Sequence, residues 1–461
     1  MKKFRGTFIA LAIVLILAAY IVFTEREKPA TGIGESVIFK MAPDTIEEIS
    51  IAHSETRVTV KKDDNDAWVI TTPRTYETSQ EAVKSLIQAI AEAEFDKEIE
   101  ADPSDLEAFG LSAPDTGLEV KGNRGDKKTL LIGCATPVGS GYYVKRPDDT
   151  KVYVISTTLA DALSKTAFDL REKKIIKASG ESVNGIRILR RIEDDVTDVI
   201  CEKQDDTWNL IRPIVDRADK GRLDELISDI TGLTAEAFTD DEDSPLSHWG
   251  LGHPRVRIDL TVAGRGTPIQ VFIGDSGPGE EGFYVKTGDS PEVYLVKPWA
   301  FSPLELTPPD LVDSQLARWD QDEVITITWT LDGKAFSLLR DGKGWKGVSP
   351  VVNEGEGSRP TGASKSYDWS ELDRLVTALQ DVRIIGVGEI LRPDIDLATY
   401  SLDNPAILVR LDLGDGNIFE VKIGKEIDEG FYAIATDRTF VYLVEKDGVE
   451  ALTEILSGLS P

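Results

Sequence analysis

Histidine, methionine and cysteine are nearly missing from this chain: three, two and two residues in 461. Tetrahedral metal sites need Cys and His at ligand spacing. His53, His248, His253, Cys134 and Cys201 are scattered, so no metal site is expected. The two cysteines also fall at non-equivalent places in the internal repeats described below, which excludes a disulfide inherited within each repeat. Two free thiols or one isolated bridge remain. Positive charge is short as well. With 52 Lys and Arg against 81 Asp and Glu, the net charge is −29, a surface that repels phosphate backbones and argues against a nucleic-acid partner.

One stretch departs from this composition. Lys2, Lys3 and Arg5 precede a charge-free, mostly apolar run from Thr7 to Phe23, which as a helix spans about 26 Å, near the lower limit for one bilayer crossing. No small-x-small cleavage site follows Tyr20-Ile21-Val22-Phe23, and no lipidation cysteine does; the segment is read as an uncleaved signal anchor, with a cleaved signal peptide as the competing reading. The positive-inside rule then keeps the N-terminus in the cytoplasm and sends the acidic body across the inner membrane.

Beyond a tether, the chain writes one spaced word three times. It runs Trp68, Pro73, Gly110-Leu111, Pro114, Ile132-Gly133, Gly141-Tyr142-Tyr143; then Trp208, Pro213, Gly250-Leu251, Pro254, Ile273-Gly274, Gly282-Phe283-Tyr284; then Trp345, Pro350, Ser401-Leu402, Pro405, Ile423-Gly424, Gly430-Phe431-Tyr432. The tryptophans lie 140 and 137 residues apart, far above the ~20–50 residues of solenoid repeats. Duplicated domains are therefore expected, each with its own core. Short alternating runs predict three strands before Pro73. A helix follows, capped by Ser79 with Val83, Leu86, Ile87, Ile90 and Ala91 on one face. The matching faces are Leu223, Leu226, Ile227, Ile230 and Leu233, and Leu372, Leu375, Val376, Leu379 and Val382.

A helical turn stopped by Gly110, four strands and a closing helix complete the first unit. Ser401 replaces that glycine in the third copy, where the left-handed cap is less comfortable. The fold class is therefore α+β: an N-terminal transmembrane helix (1–28) and tether (29–43), followed by three homologous, mainly antiparallel sheet-plus-helix domains at 44–175, 181–308 and 321–457. The third copy carries an insertion over Asn353 to Tyr367, read as a loop.

Each tempting site has a plainer reading. Gly274-Asp275-Ser276-Gly277-Pro278-Gly279 looks like the nucleophile segment of trypsin-like proteases, but it occupies a loop whose equivalents are Gly133-Cys134-Ala135-Thr136 and Gly424-Lys425-Glu426-Ile427, and no histidine has a matching context. His248 and His253 flank a turn. Asp240-Asp241-Glu242-Asp243 lacks the alternate-residue spacing and turn glycine of a calcium loop. Asp412-Leu413-Gly414-Asp415-Gly416-Asn417 reads as a hairpin turn. Trp68, Trp208 and Trp345 read as core rather than as ligand platforms. No catalytic, cofactor-binding or metal residue is assigned.

The framework resembles the bacterial domain of unknown function numbered 4340. That resemblance covers nearly all of residues 44 to 456 and implies one membrane anchor with copies of the domain outside the cytoplasm. By association it also implies an accessory role beside gliding-motility-type ABC transporters, and it carries no catalytic residues. The expectation is a non-enzymatic accessory or scaffold protein of an envelope complex with a protein partner. The alternatives are an extracytoplasmic module binding glycan, peptide or metal and, more remotely, a hydrolase. Function is to be sought in what the copies do not share, beginning with the Asn353 to Tyr367 loop and the surfaces between domains.

Overall fold

Alternation of β-branched and polar residues sets the sheets. In the first repeat Ile49 and Ile51 face Val60 and Val58 on one side and Val120 and Leu118 on the other, and all six are buried. A period of two places these side chains on one face of the pleat, where burial of about 2 kcal/mol each fixes the register. The second repeat repeats the rung with Ile186 between Cys201 and Leu260, and the third with Ile327 between Leu338 and Leu411.

The computed structural model describes residues 36–459 apart from 54, 101–104, 115, 138, 193–194, 240–243, 299–306, 320, 332, 342–343, 349–365, 368, 391–394 and 415. The expected membrane anchor, the acidic run at 240–243 and nearly all of the 353–367 insertion fall outside the described residues. No helix among the described residues is long and apolar enough to cross a membrane.

The first repeat contains β1 (Ile46–His53), β2 (Thr56–Lys62), β3 (Trp68–Thr72), β4 (Tyr76–Glu77), α1 (Gln80–Ala91), β5 (Lys97–Glu100), β6 (Thr116–Gly122), β7 (Lys127–Ala135), β8 (Gly141–Lys145), β9 (Val152–Ser156), α2 (Thr157–Leu163) and α3 (Ala167–Leu170). The second contains β10 (Val183–Ile192), β11 (Asp195–Gln204), β12 (Thr207–Arg212), β13 (Asp216–Arg217), α4 (Lys220–Thr231), β14 (Ala237–Phe238), β15 (Val256–Val262), β16 (Ile269–Ser276), β17 (Phe283–Thr287) and β18 (Val293–Val296). The third contains β19 (Thr326–Leu331), β20 (Lys334–Asp341), β21 (Gly344–Val348), β22 (Ser366–Tyr367), α5 (Trp369–Gln380), β23 (Ile384–Ile390), β24 (Ile407–Asp412), β25 (Ile418–Glu426), β26 (Phe431–Ala435), β27 (Phe440–Val444) and α6 (Lys446–Leu459).

Each repeat forms one nine-stranded sheet, ordered in the first as β4-β3-β2-β1-β6-β7-β8-β9-β5, with the same order in the other two. Every pairing is antiparallel in the second sheet. The α+β expectation holds as mostly antiparallel sheets with helices. Two strands per repeat escape the sequence reading, β4 and β5 and their counterparts. β4, β13, β14 and β22 run only two residues and β5 four, too short for alternation to register, and the seven-residue β23 has Gly386 and Gly388 where alternating side chains would mark a strand.

The repeated helix is buried on the face its periodicity marks: Val83, Leu86, Ile87 and Ile90 in α1, and Leu223, Leu226, Ile227 and Ile230 in α4. Ser79 accepts from Ala82 N at 3.2 Å and Asp219 from Arg222 N at 3.0 Å, satisfying helix-end donors.

The glycine of the Ile-Gly step is required by close approach. A Cβ on Gly133, Gly274 or Gly424 would lie 2.1, 2.0 or 2.2 Å from the carbonyl oxygen of Phe109, Trp249 or Tyr400. Those three aromatics sit just before the left-handed residue of the turn, Gly110, Gly250 or Ser401, the last at φ 55°. Their rings meet the Tyr of the Gly-aromatic-Tyr step: Phe109 with Tyr143 at 4.9 Å, Trp249 with Tyr284 at 6.4 Å and Tyr400 with Tyr432 at 4.9 Å. The spaced word is thus a buttress, in which the turn backs onto a glycine and is faced by a tyrosine.

The chain divides between Lys173 and Lys174 into two compact units. The first has its own core, from Ile38 to Leu170. In the second unit one continuous core runs from Ile175 to Leu459 and includes both the second and third sheets. Leu311, Val312, Leu316 and Ala317, on the stretch between those two sheets, are buried in it. The same lead-in contact recurs three times: Ile38 N, Ile175 N and Leu316 N donate to Ala93 O, Leu233 O and Val382 O at 2.9, 3.1 and 3.1 Å.

Candidate functional site

A hairpin turn of the third repeat inserts against an edge of the second. The turn between β26 and β27 holds Asp437 and Arg438, and Arg438 N donates to Ala435 O at 3.1 Å. The edge is β13, two residues long, where Asp216 pairs with Leu210. Arg438 and Asp216 form an ion pair at 2.7 Å with both side chains at 0% exposure.

Arg438 also ties down the chain between the repeats. It donates to Asp313 O at 2.6 Å, to Leu316 O at 3.2 Å and to Gln315 O. The second carboxylate oxygen of Asp216 accepts from the Tyr442 hydroxyl, and Arg217 N donates to the first at 2.7 Å. An ion pair this deep persists because nearly every lone pair and donor finds a partner. Burial, reinforced by Asp216, raises the Tyr442 phenol above the ordinary tyrosine value.

The tyrosine belongs to the repeated pattern, whereas its partner does not. In the first repeat Tyr153 donates to Asp149 at 3.0 Å and in the second Tyr294 to Ser290 at 3.3 Å, both within their own hairpin. In the third repeat the same position reaches into the neighbouring repeat. Arg146, in the β8–β9 turn, likewise donates to Val37 O at 2.8 Å and Ile38 O at 2.7 Å. An arginine in this turn therefore holds the lead-in segment in the first and third repeats.

Arg217 carries a further set of charged contacts outside the buried pair. Arg217 donates from Nε to Asp313 at 2.8 Å, from Nη2 to Gln315 O at 2.8 Å and from Nη1 to Asp437. Thr439 donates to Val215 O. Arg217, Asp437, Thr439 and Val215 help to line a cleft of about 620 Å³, with Glu202, Lys203, Gln204, Asn209, Ile211 and Asp216. That volume lies in the range of ligand sites, but the lining is polar rather than aromatic. Burial holds the Asp437 carboxyl above the ordinary aspartate range, with Arg217 pulling the other way.

The residues singled out in sequence lie elsewhere. Trp68, Trp208 and Trp345 are buried. Ser276 is exposed at the end of β16, opposite Phe283, and among the described residues no histidine hydrogen-bonds to it. His53 contacts Lys165 O and Thr116 at 3.3 Å each. His248 packs edge-on against Trp249, and His253 is exposed. Cys134 is exposed and Cys201 buried, both free. No cluster of three potential metal ligands occurs among the described residues. Asp412 and Ile418 pair across the expected hairpin. Sequence reasoning did not single out Asp216, Arg217, Asp437 or Arg438; the one available signal was that Asp216 and Arg217 stand where the first repeat has Tyr76 and Glu77.

No curated protein matches the chain. The family described as a domain of unknown function (DUF4340) matches twice, over residues 68–214 and 208–389. Each match starts on the framework tryptophan; the first runs from β3 past β12, and so across the boundary between two sheets. With the two matches together covering most of its length, the chain belongs to the DUF4340 family.

Proposed function

We propose that the chain is a non-enzymatic, single-pass membrane protein of the inner membrane whose acidic, extracytoplasmic body serves as an accessory or scaffold component of an envelope complex, beside an ABC transporter of the gliding-motility type. The observation that carries this reading is the fusion of the second and third repeats: one continuous core and a fully buried Arg438–Asp216 pair hold two sheets in fixed relation, as a spacer or platform requires. The repeated residues are engaged in buttresses and cores, which supports a structural use of the framework. The apolar run Thr7 to Phe23 behind Lys2, Lys3 and Arg5 supports the anchor and its orientation.

The test is crosslinking in native membranes followed by mild solubilisation and purification of the chain. Co-purification of a transporter or envelope protein, together with resistance to carbonate extraction and protease access from the periplasmic side, is expected. A protein that elutes alone, or that carbonate strips from the membrane, refutes the reading. The 620 Å³ cleft favours a second reading, an extracytoplasmic ligand-binding module; equilibrium binding of glycan or peptide libraries to the full chain checks it, and uniformly blank screens would count against it.

A further inference from the structure

The cleft between the second and third repeats has a specific imbalance. Its cations are already engaged: all three Arg217 nitrogens donate, to Asp313, Asp437 and Gln315 O, and Lys203 pairs with Asp206 at 2.8 Å. What remains open is acceptor capacity. The exposed Glu202 carboxylate has no ion-pair partner among the described residues. Asp437 receives Arg217 on Oδ2 and its own backbone amide, and a carboxylate with about four acceptor sites has capacity beyond these two. The Gln204 and Asn209 side chains, each carrying an amide oxygen, line the same cleft. Beside them Ile211 and Val215, 37% and 61% exposed, form an apolar shelf.

Acceptors with net negative charge next to an apolar shelf match a long side chain with an aliphatic stem and a cationic head. From this geometry we infer that the cleft receives an arginine or lysine side chain presented by a segment of a partner protein, with the head between Glu202 and Asp437 and the stem on Ile211 and Val215. The inference rests on the scaffold reading for the existence of a partner, and it names where that partner is held. The net charge of −29 over the whole chain assists encounter with a basic segment.

The probe is a fluorescein-labelled, end-blocked hexapeptide of alternating arginine and valine, titrated by anisotropy into the full-length protein at 150 mM salt, where the Debye length of about 8 Å suppresses diffuse attraction. Glu202→Gln with Asp437→Asn is expected to weaken binding about tenfold. Glu202→Gln alone, a change at an exposed side chain that cannot unfold the joint, should weaken it about threefold, and Val215→Ser severalfold. The control Glu55→Gln with Asp64→Asn changes the net charge equally on exposed residues of the first repeat and should leave affinity unchanged. Equal loss in the control, equal binding of a matched hexapeptide with glutamate in place of arginine, or no binding at 1 mM overturns the assignment. Partner capture from membranes that survives Glu202→Gln with Asp437→Asn overturns the cleft while leaving the scaffold reading intact. A wild-type chain that binds the peptide but captures no partner supports the cleft and refutes the scaffold.

Discussion

Replacing Arg438 with alanine removes the cation from a pair whose two side chains are fully buried. Asp216 keeps only the Tyr442 hydroxyl and the Arg217 amide as donors, and the Asp313 and Leu316 carbonyls lose their Arg438 donor. Stranding one partner of a buried pair costs about 3–5 kcal/mol, because the remaining charge is left in a poorly solvating interior. In a unit of this size that lowers the melting temperature by about 6–10 °C. Scanning calorimetry on the full chain should show the loss confined to the transition of the second unit, since the first has a separate core. Urea unfolding should show a lower midpoint with an unchanged slope. Arg438→Met combined with Asp216→Leu should recover part of the loss by removing the stranded charge. A loss below about 1 kcal/mol for Arg438→Ala would refute the claim that this pair joins the repeats.

Other consequences are as direct. Gly274→Ala places a Cβ 2.0 Å from Trp249 O and should cost more than about 3 kcal/mol, whereas Gly264→Ala, at φ 77° with nothing within 4 Å, should cost only about 1–2 kcal/mol for its backbone conformation; denaturant midpoints compare them. At pH 8 a thiol reagent should label Cys134 promptly and Cys201 only after unfolding, since burial pushes the Cys201 thiol up to about 12. The folded thiol lies above its ordinary value near 9, so its stabilising contribution is full below that value and is lost as pH rises towards 12. Melting curves in alkali should show this slope, and Cys201→Ser should reduce it. Asp198, lowered by its hydrogen bond with Arg187, and Asp310, lowered by Thr307, contribute stability present above the ordinary aspartate value of 3.8 and lost as pH falls through their folded values. Acid unfolding should therefore shift to higher pH in Asp198→Asn.

Much of this fold was legible because the signals were local. Ile49, Ile51, Val58 and Val60 alternate with period two, α1 repeats its apolar face at helical spacing, and Ser79 announces the helix. The glycine of each Ile-Gly step was visible as a repeated letter, but its reason, a carbonyl packed against Cα from a turn some 24 residues earlier, needed the register. The joint was not legible. Asp216 and Arg438 are 222 residues apart, and each looks in sequence like an ordinary surface charge in an acidic chain. The candidate cleft inherits that difficulty, since Glu202 and Asp437 line one cavity only once two sheets are joined.

The Arg438 joint also has a consequence for the order of synthesis. Asp216 emerges 222 residues before the cation it is buried against, and the Asp313 carbonyl 125 residues before its donor. At about 5–20 residues per second, the second repeat waits roughly 10–45 s with a carboxylate it cannot yet bury. Its edge therefore closes only when the last hairpin arrives. A chain cut short before Arg438 would leave that edge open, marking an unfinished molecule by the charge it fails to hide.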